Sequence, residues 1–139
     1  MTTRSSGFTL IELLVVVAIL GIISAIGIVS YNGYVGASKK KSAENIMMQI
    51  SLAQSEYYSD NDNYFFTRTC SITGKSDPSN EIEKELLGGA DVIVEKVGYE
   101  FCVEAFSDGY KIKTEEQDTS KPCIMTYTHK SVLDKNSNC

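Results

Sequence analysis

Gly7-Phe8-Thr9-Leu10-Ile11-Glu12-Leu13 runs straight into an apolar stretch that continues to Val29, and the reading of these residues decides the fold. At 1.5 Å per residue, residues 8–29 make a helix of about 33 Å, the thickness of a bilayer core. One carboxylate, Glu12, stands near its start. A charge in hydrocarbon costs about 2.5 to 3.5 kcal/mol on insertion scales, so Glu12 requires a partner or a purpose. An ordinary secretory signal places a small-residue cleavage site after its apolar core. Ser24-Ala25-Ile26 is a weak site of that kind, whereas Gly7 stands before the core.

Downstream, Ser30-Tyr31-Asn32-Gly33-Tyr34-Val35-Gly36 taken alone looks like a helix end. Helical spacing then resumes. Ala43, Ile46, Met47, Ile50, Ala53, Gln54 and Tyr57 recur on one face, while Lys40, Glu44, Asn45, Gln49 and Glu56 fall mostly on others. The pattern predicts one long helix from about Thr9 to Ser59, roughly 75 Å in length, apolar all round in its first half and amphipathic in its second. Asp60-Asn61-Asp62-Asn63 ends it, because short polar side chains compete for the helix's backbone hydrogen bonds. Tyr64, Phe65 and Phe66 are expected to pack back onto the helix, followed by a loop holding Cys70, Gly74 and Pro78. Asn80-Glu81-Ile82-Glu83 reads as the start of a short helix, with Asn80 as its cap, and Gly88-Gly89 closes it.

From Asp91 the period changes to two. Tyr99, Phe101, Val103 and Ala105 alternate with Glu100, Cys102, Glu104 and Phe106, and Ser107-Asp108-Gly109 turns the chain into Tyr110-Lys111-Ile112-Lys113-Thr114. Ile124-Met125-Thr126-Tyr127-Thr128 is a further strand. The fold class is therefore α+β: a long amino-terminal helix, half membrane-spanning and half amphipathic, on an antiparallel sheet of three or four strands. Outside the apolar segment, the roughly 105 to 110 remaining residues suffice for one domain.

The formal net charge is -5, and removing residues 1–7 with Arg4 takes it to -6, which weighs against a nucleic-acid binder. Catalysis has little support, since His129 is the single histidine and no nucleophile and base pair is present. Its plain reading is a polar residue at a strand end. Asp60-Asn61-Asp62-Asn63 resembles the opening of a calcium loop but lacks that motif's glycine and distal glutamate, and Glu115-Glu116-Gln117-Asp118 reads as a solvated hairpin end or loop. Lys39, Lys40 and Lys41 spread over about 200 degrees of helix, favouring contact with lipid headgroups or acidic neighbours over a DNA-binding stripe. Cys70, Cys102, Cys123 and Cys139 all follow the apolar segment, an even count that suggests two disulfides in an oxidising compartment. Spacing alone leaves three pairings open, and no cysteine pair has metal-ligand spacing. Neither a cofactor nor a metal is expected. Arg4 before the apolar segment and the three lysines after it leave orientation undecided by charge.

Residues 7–34 resemble the processing site and helix of type IV prepilins: a short hydrophilic leader ending in Gly7, then Phe8, then an apolar helix with Glu12 near its start. The resemblance implies cleavage after Gly7 by a prepilin peptidase, N-methylation of Phe8, and pairing of Glu12 with the terminal amine of a neighbouring subunit. It implies a pilin fold with a leader at 1–7, a transmembrane and fibre-core helix at 8–30, and a globular head at 31–139 that includes the amphipathic half of the helix. It also implies a single-pass precursor in the bacterial inner membrane, head outside, that becomes a non-enzymatic subunit of a surface pilus used for adhesion, motility or DNA uptake. The implied partners are other pilin subunits and the inner-membrane assembly platform. Many type IV pilins close a loop near the carboxyl terminus with a disulfide, which implies Cys123 with Cys139 and leaves Cys70 with Cys102. The alternative is a pseudopilin of a type II secretion system, whose major members typically use a calcium loop instead of that disulfide. Major and minor pilin remain open. Val29 stands about where most members have proline, so between Gly21 and Gly27 the helix either melts locally or packs closely at small residues.

Overall fold

Residues 43–57 repeat apolar side chains at helical spacing and residues 99–105 repeat them at every second position, and burial joins the two faces in one core. The computed structural model describes residues 7–70, 78–93, 97–117 and 119–139. Its elements run α1 (Leu10–Asn61), α2 (Pro78–Glu85), β1 (Tyr99–Phe106), β2 (Gly109–Glu116), β3 (Ile124–Thr128) and β4 (Leu133–Lys135). Residues 1–6, Gly74 and Asp118 lie outside the described residues. Contacts divide the chain into two units, Met1–Ser38 and Lys39–Cys139.

In the first unit, α1 is helical without interruption through Gly21 and Gly27, so the local melting left open by the sequence does not occur here. A methyl group added at either glycine meets nothing within 4 Å, and the large apolar side chains from Leu10 to Ile28 are 47% to 83% exposed. The segment is long and apolar enough to cross a membrane.

In the second unit the same helix buries a stripe of Ala43, Ile46, Met47 and Ile50. Against it lie Phe101 and Val103 of β1, Tyr110 and Ile112 of β2, Met125 of β3 and Ile82 of α2. Each such side chain, fully withdrawn from water, stabilises by about 1.5 to 3 kcal/mol. The sheet is antiparallel in the order β1-β2-β3-β4, with Val103 opposite Ile112 and Ile112 opposite Tyr127, so one face carries the apolar residues. Polar anchors fix the layers. Ser51 and Tyr110 share a hydroxyl hydrogen bond of 2.7 Å, and the buried Gln54 donates to the Phe65 carbonyl at 2.7 Å and accepts from its amide at 3.0 Å. Along the outer edge of β1, Phe101 N–H donates to Ser79 Oγ and Val103 exchanges hydrogen bonds with Thr67, which blunts the edge against pairing with other strands.

Several expectations need correction. α2 begins at Pro78 and not at Asn80, since proline suits a first helical turn, and Glu83 accepts from the Ile93 amide. Glu115 and Glu116 are the last residues of β2, half-buried, with Glu115 3.5 Å from Lys113 and Glu116 accepting from Cys123 N–H. They stand at the hairpin end that the sequence offered, where β2 leads to β3, but half-buried instead of solvated. Tyr64 and Phe65 do pack back, their rings 4.6 Å from Tyr58 and 5.9 Å from Tyr57, but Phe66 remains 43% exposed. Glu44, read as a polar-face residue, is buried because two lysines reach it. α1 ends at Asn61, where Asp62 turns to a positive φ of 55°.

Candidate assembly site

Thr9 and Glu12 form a reciprocal cap at the start of α1. Thr9 N–H donates to Glu12 Oε2 at 2.9 Å, the Thr9 hydroxyl donates to the same oxygen at 2.7 Å, and Glu12 N–H points back to Thr9 Oγ1 at 3.3 Å. This is a capping box, which satisfies helix amides that otherwise have no partner, and the negative charge also suits the positive end of the helix dipole. The sequence carries the signal for this cap, a threonine followed three residues later by glutamate at the start of an apolar run. Both of Glu12's described side-chain bonds fall on Oε2. Phe8, next to this cap, is 82% exposed, and Gly7 precedes it in open space.

Two of the three lysines that open the second unit, Lys40 and Lys41, are engaged within the chain. Lys41 meets Glu44 at 2.8 Å, Lys135 of β4 reaches the other oxygen of the same carboxylate, and Lys40 donates to the Cys139 carbonyl. Burial by itself would raise the pKa of Glu44, but hydrogen bonds and charge from Lys135 and Lys41 outweigh it and hold the carboxyl below its usual value. The structure joins Cys70 to Cys102 and Cys123 to Cys139. The second bridge and the Glu44 cluster fasten the end of the sheet to α1. The first covers Cys102, which faces away from the helix yet is fully buried.

His129 lies in the turn after β3, its ring so close to Gly109 that a Cβ there would fall 2.5 Å from the ring, and its Nε2 is 3.4 Å from Asp108. Among the described residues, no group of three or more His, Cys, Asp or Glu side chains is placed to hold a metal ion.

An exposed apolar helix opened by a Thr9–Glu12 cap, directly after Gly7-Phe8, is the arrangement that the comparisons with known proteins address. Residues 2–28 match the model of the prokaryotic N-terminal methylation motif. The chain is 50% identical over 54 residues to the fimbrial protein EcpC of Eikenella corrodens, covering 39% of this chain and 35% of that one. It is 41% identical over 61 residues to the type IV major pilin protein PilA of Myxococcus xanthus, covering 44% of this chain and 28% of that one. Over these stretches the chain is similar to type IV pilin and fimbrial proteins. The remainder agrees in architecture, a pilin-like α+β arrangement of a long helix and a four-stranded antiparallel sheet. The chain spans about a third of the length of the curated relatives it matches. No solved structure matches it.

Proposed function

We propose that the chain is a structural subunit of a type IV pilus, processed after Gly7, N-methylated at Phe8 and assembled into a helical fibre. The observation that carries this reading is the methylation motif over residues 2–28 on a helix whose apolar side chains are exposed all round. Such a surface is unstable in water and needs lipid or copies of itself. Residues 8–30 hold the precursor in the inner membrane with the head outside, and later pack with their counterparts in the fibre core. Residues 31–139, with their two disulfides, form the head. The subunit's work is adhesion, motility or DNA uptake through the assembled fibre, and the head performs no catalysis. Prepilin peptidase and the inner-membrane assembly platform act on it before polymerisation.

In the single chain Glu12 caps its own helix; in the fibre it also offsets the charge of the Phe8 amine of an adjacent subunit, setting axial register. A dry ion pair is favourable only when its groups are further hydrogen-bonded, and Thr9 supplies that support to the Glu12 carboxylate. The test is the fraction of chain recovered in sheared surface fibres. Wild-type chain is expected in the fibres and the Glu12→Val variant in the membrane; normal incorporation of the variant removes the register role. Wild-type chain confined to short periplasmic fibres would mean a pseudopilin instead.

A further inference from the structure

In the unit Lys39–Cys139, α1 has an outward face as well as a core face. Opposite Ile46, Met47 and Ile50, the helical spacing of Lys41, Asn45, Met48, Leu52 and Glu56 places a second stripe on the exterior. Met48 is 46% exposed and Leu52 73%. Leu52 and Ala53 form one wall of an open groove of about 510 Å³ whose other wall is Leu86 and Leu87, with Gln49 and Glu56 at its polar margin. Nothing in a lone head requires two large apolar side chains there.

We propose that this groove and the adjoining Met48 seat residues 31–41 of α1 from a second copy of the chain, with Tyr34 against Met48 and Leu52 and Lys41 facing Glu56. The inference rests on the fibre reading above. Tyr31 and Tyr34 lie one turn apart, 66% and 72% exposed, and tyrosine covers apolar area at small conformational cost. Charge selects this occupant. Lys41 follows Tyr34 by seven residues, as Glu56 follows Gln49, and two turns of parallel helix therefore bring Tyr34 beside the Met48–Leu52 level when Lys41 meets Glu56. The Lys41 side chain is 73% exposed even while it touches Glu44, so it can serve both carboxylates. The two surfaces differ, so the contact is heterologous and propagates from copy to copy instead of closing as a dimer.

The test places Tyr34→Cys and Leu52→Cys in one chain and oxidises sheared fibres. A ladder of disulfide-linked multimers, absent from either single variant, is expected. A dimer formed by one single variant, cross-links to a foreign protein, or no ladder in doubly substituted fibres would overturn the contact. A second pair covers loss of assembly by the cysteine variants: Leu52→Arg and Tyr34→Glu should each lower incorporation at least about tenfold and together restore it to within about threefold. Failure of that rescue also overturns the contact. Wild-type chain in fibres with neither ladder nor rescue sinks this contact alone, whereas wild-type chain absent from fibres sinks the fibre reading with it.

Discussion

Ile19 and Ile50 occupy the same helix and have the same side chain, yet Ile19 is 51% exposed and Ile50 fully buried. Around Ile50 the chain supplies its own cover, from Phe101, Val103 and Met125. Around Ile19 the described chain supplies none. One half of α1 is stabilised by folding and the other by whatever surrounds the molecule, so the two halves should respond to different perturbations.

The largest difference is expected from large side-chain truncations, one in the cover of the buried half of α1 and one in its exposed half. Phe101→Ala should destabilise the head by about 4 kcal/mol, a cavity cost typical of buried aromatic side chains, measured by denaturant titration of the full chain in detergent. Ile19→Ala in the same assay should leave head stability unchanged and show its effect only in fibre yield. Equal losses from both would mean that the halves do not differ as described. Next in size, Cys123→Ser with Cys139→Ser releases a loop of sequence separation 16 and should cost about 3 kcal/mol. Gln54→Ala strips both partners from the Phe65 backbone and should cost about 2 kcal/mol, with the loop after α1 loosening first under proteolysis.

The smallest effect is a pH dependence. The folded-state pKa of Glu44 lies below its ordinary value, so its stabilisation is fully present above the unfolded value of about 4.3 and is lost as pH falls through the folded value. As pH falls below that unfolded value, wild-type stability should fall more steeply than that of Glu44→Gln. Parallel curves would show that the lysine cluster carries no net electrostatic stabilisation.

Much of the fold was legible because periodicity reports burial directly. The stripe from Ala43 to Gln54 and the alternation from Tyr99 to Val103 each pointed to the core that the structure contains. Polar residues defeated the same logic. Glu44 looked exposed because its second partner, Lys135, is 91 residues away in sequence, and no local pattern shows such a pairing. Lys40 looked outward-facing for the same reason, since the Cys139 carbonyl that receives it is 99 residues away in sequence. β4, only three residues long, has too few positions to show an alternation. At the amino terminus the motif was plain, whereas the Thr9–Glu12 box required asking how a helix end satisfies its own amides before asking what lies beyond it.

The central claim is that the uncovered half of α1 exists to be covered by other copies after processing. Mass spectrometry of the amino-terminal peptide from purified surface fibres tests it most directly. A fragment beginning with methylated Phe8 is expected, abundant in a major subunit and scarce in a minor one. A chain that keeps residues 1–7 and is recovered only from cell membranes would contradict it.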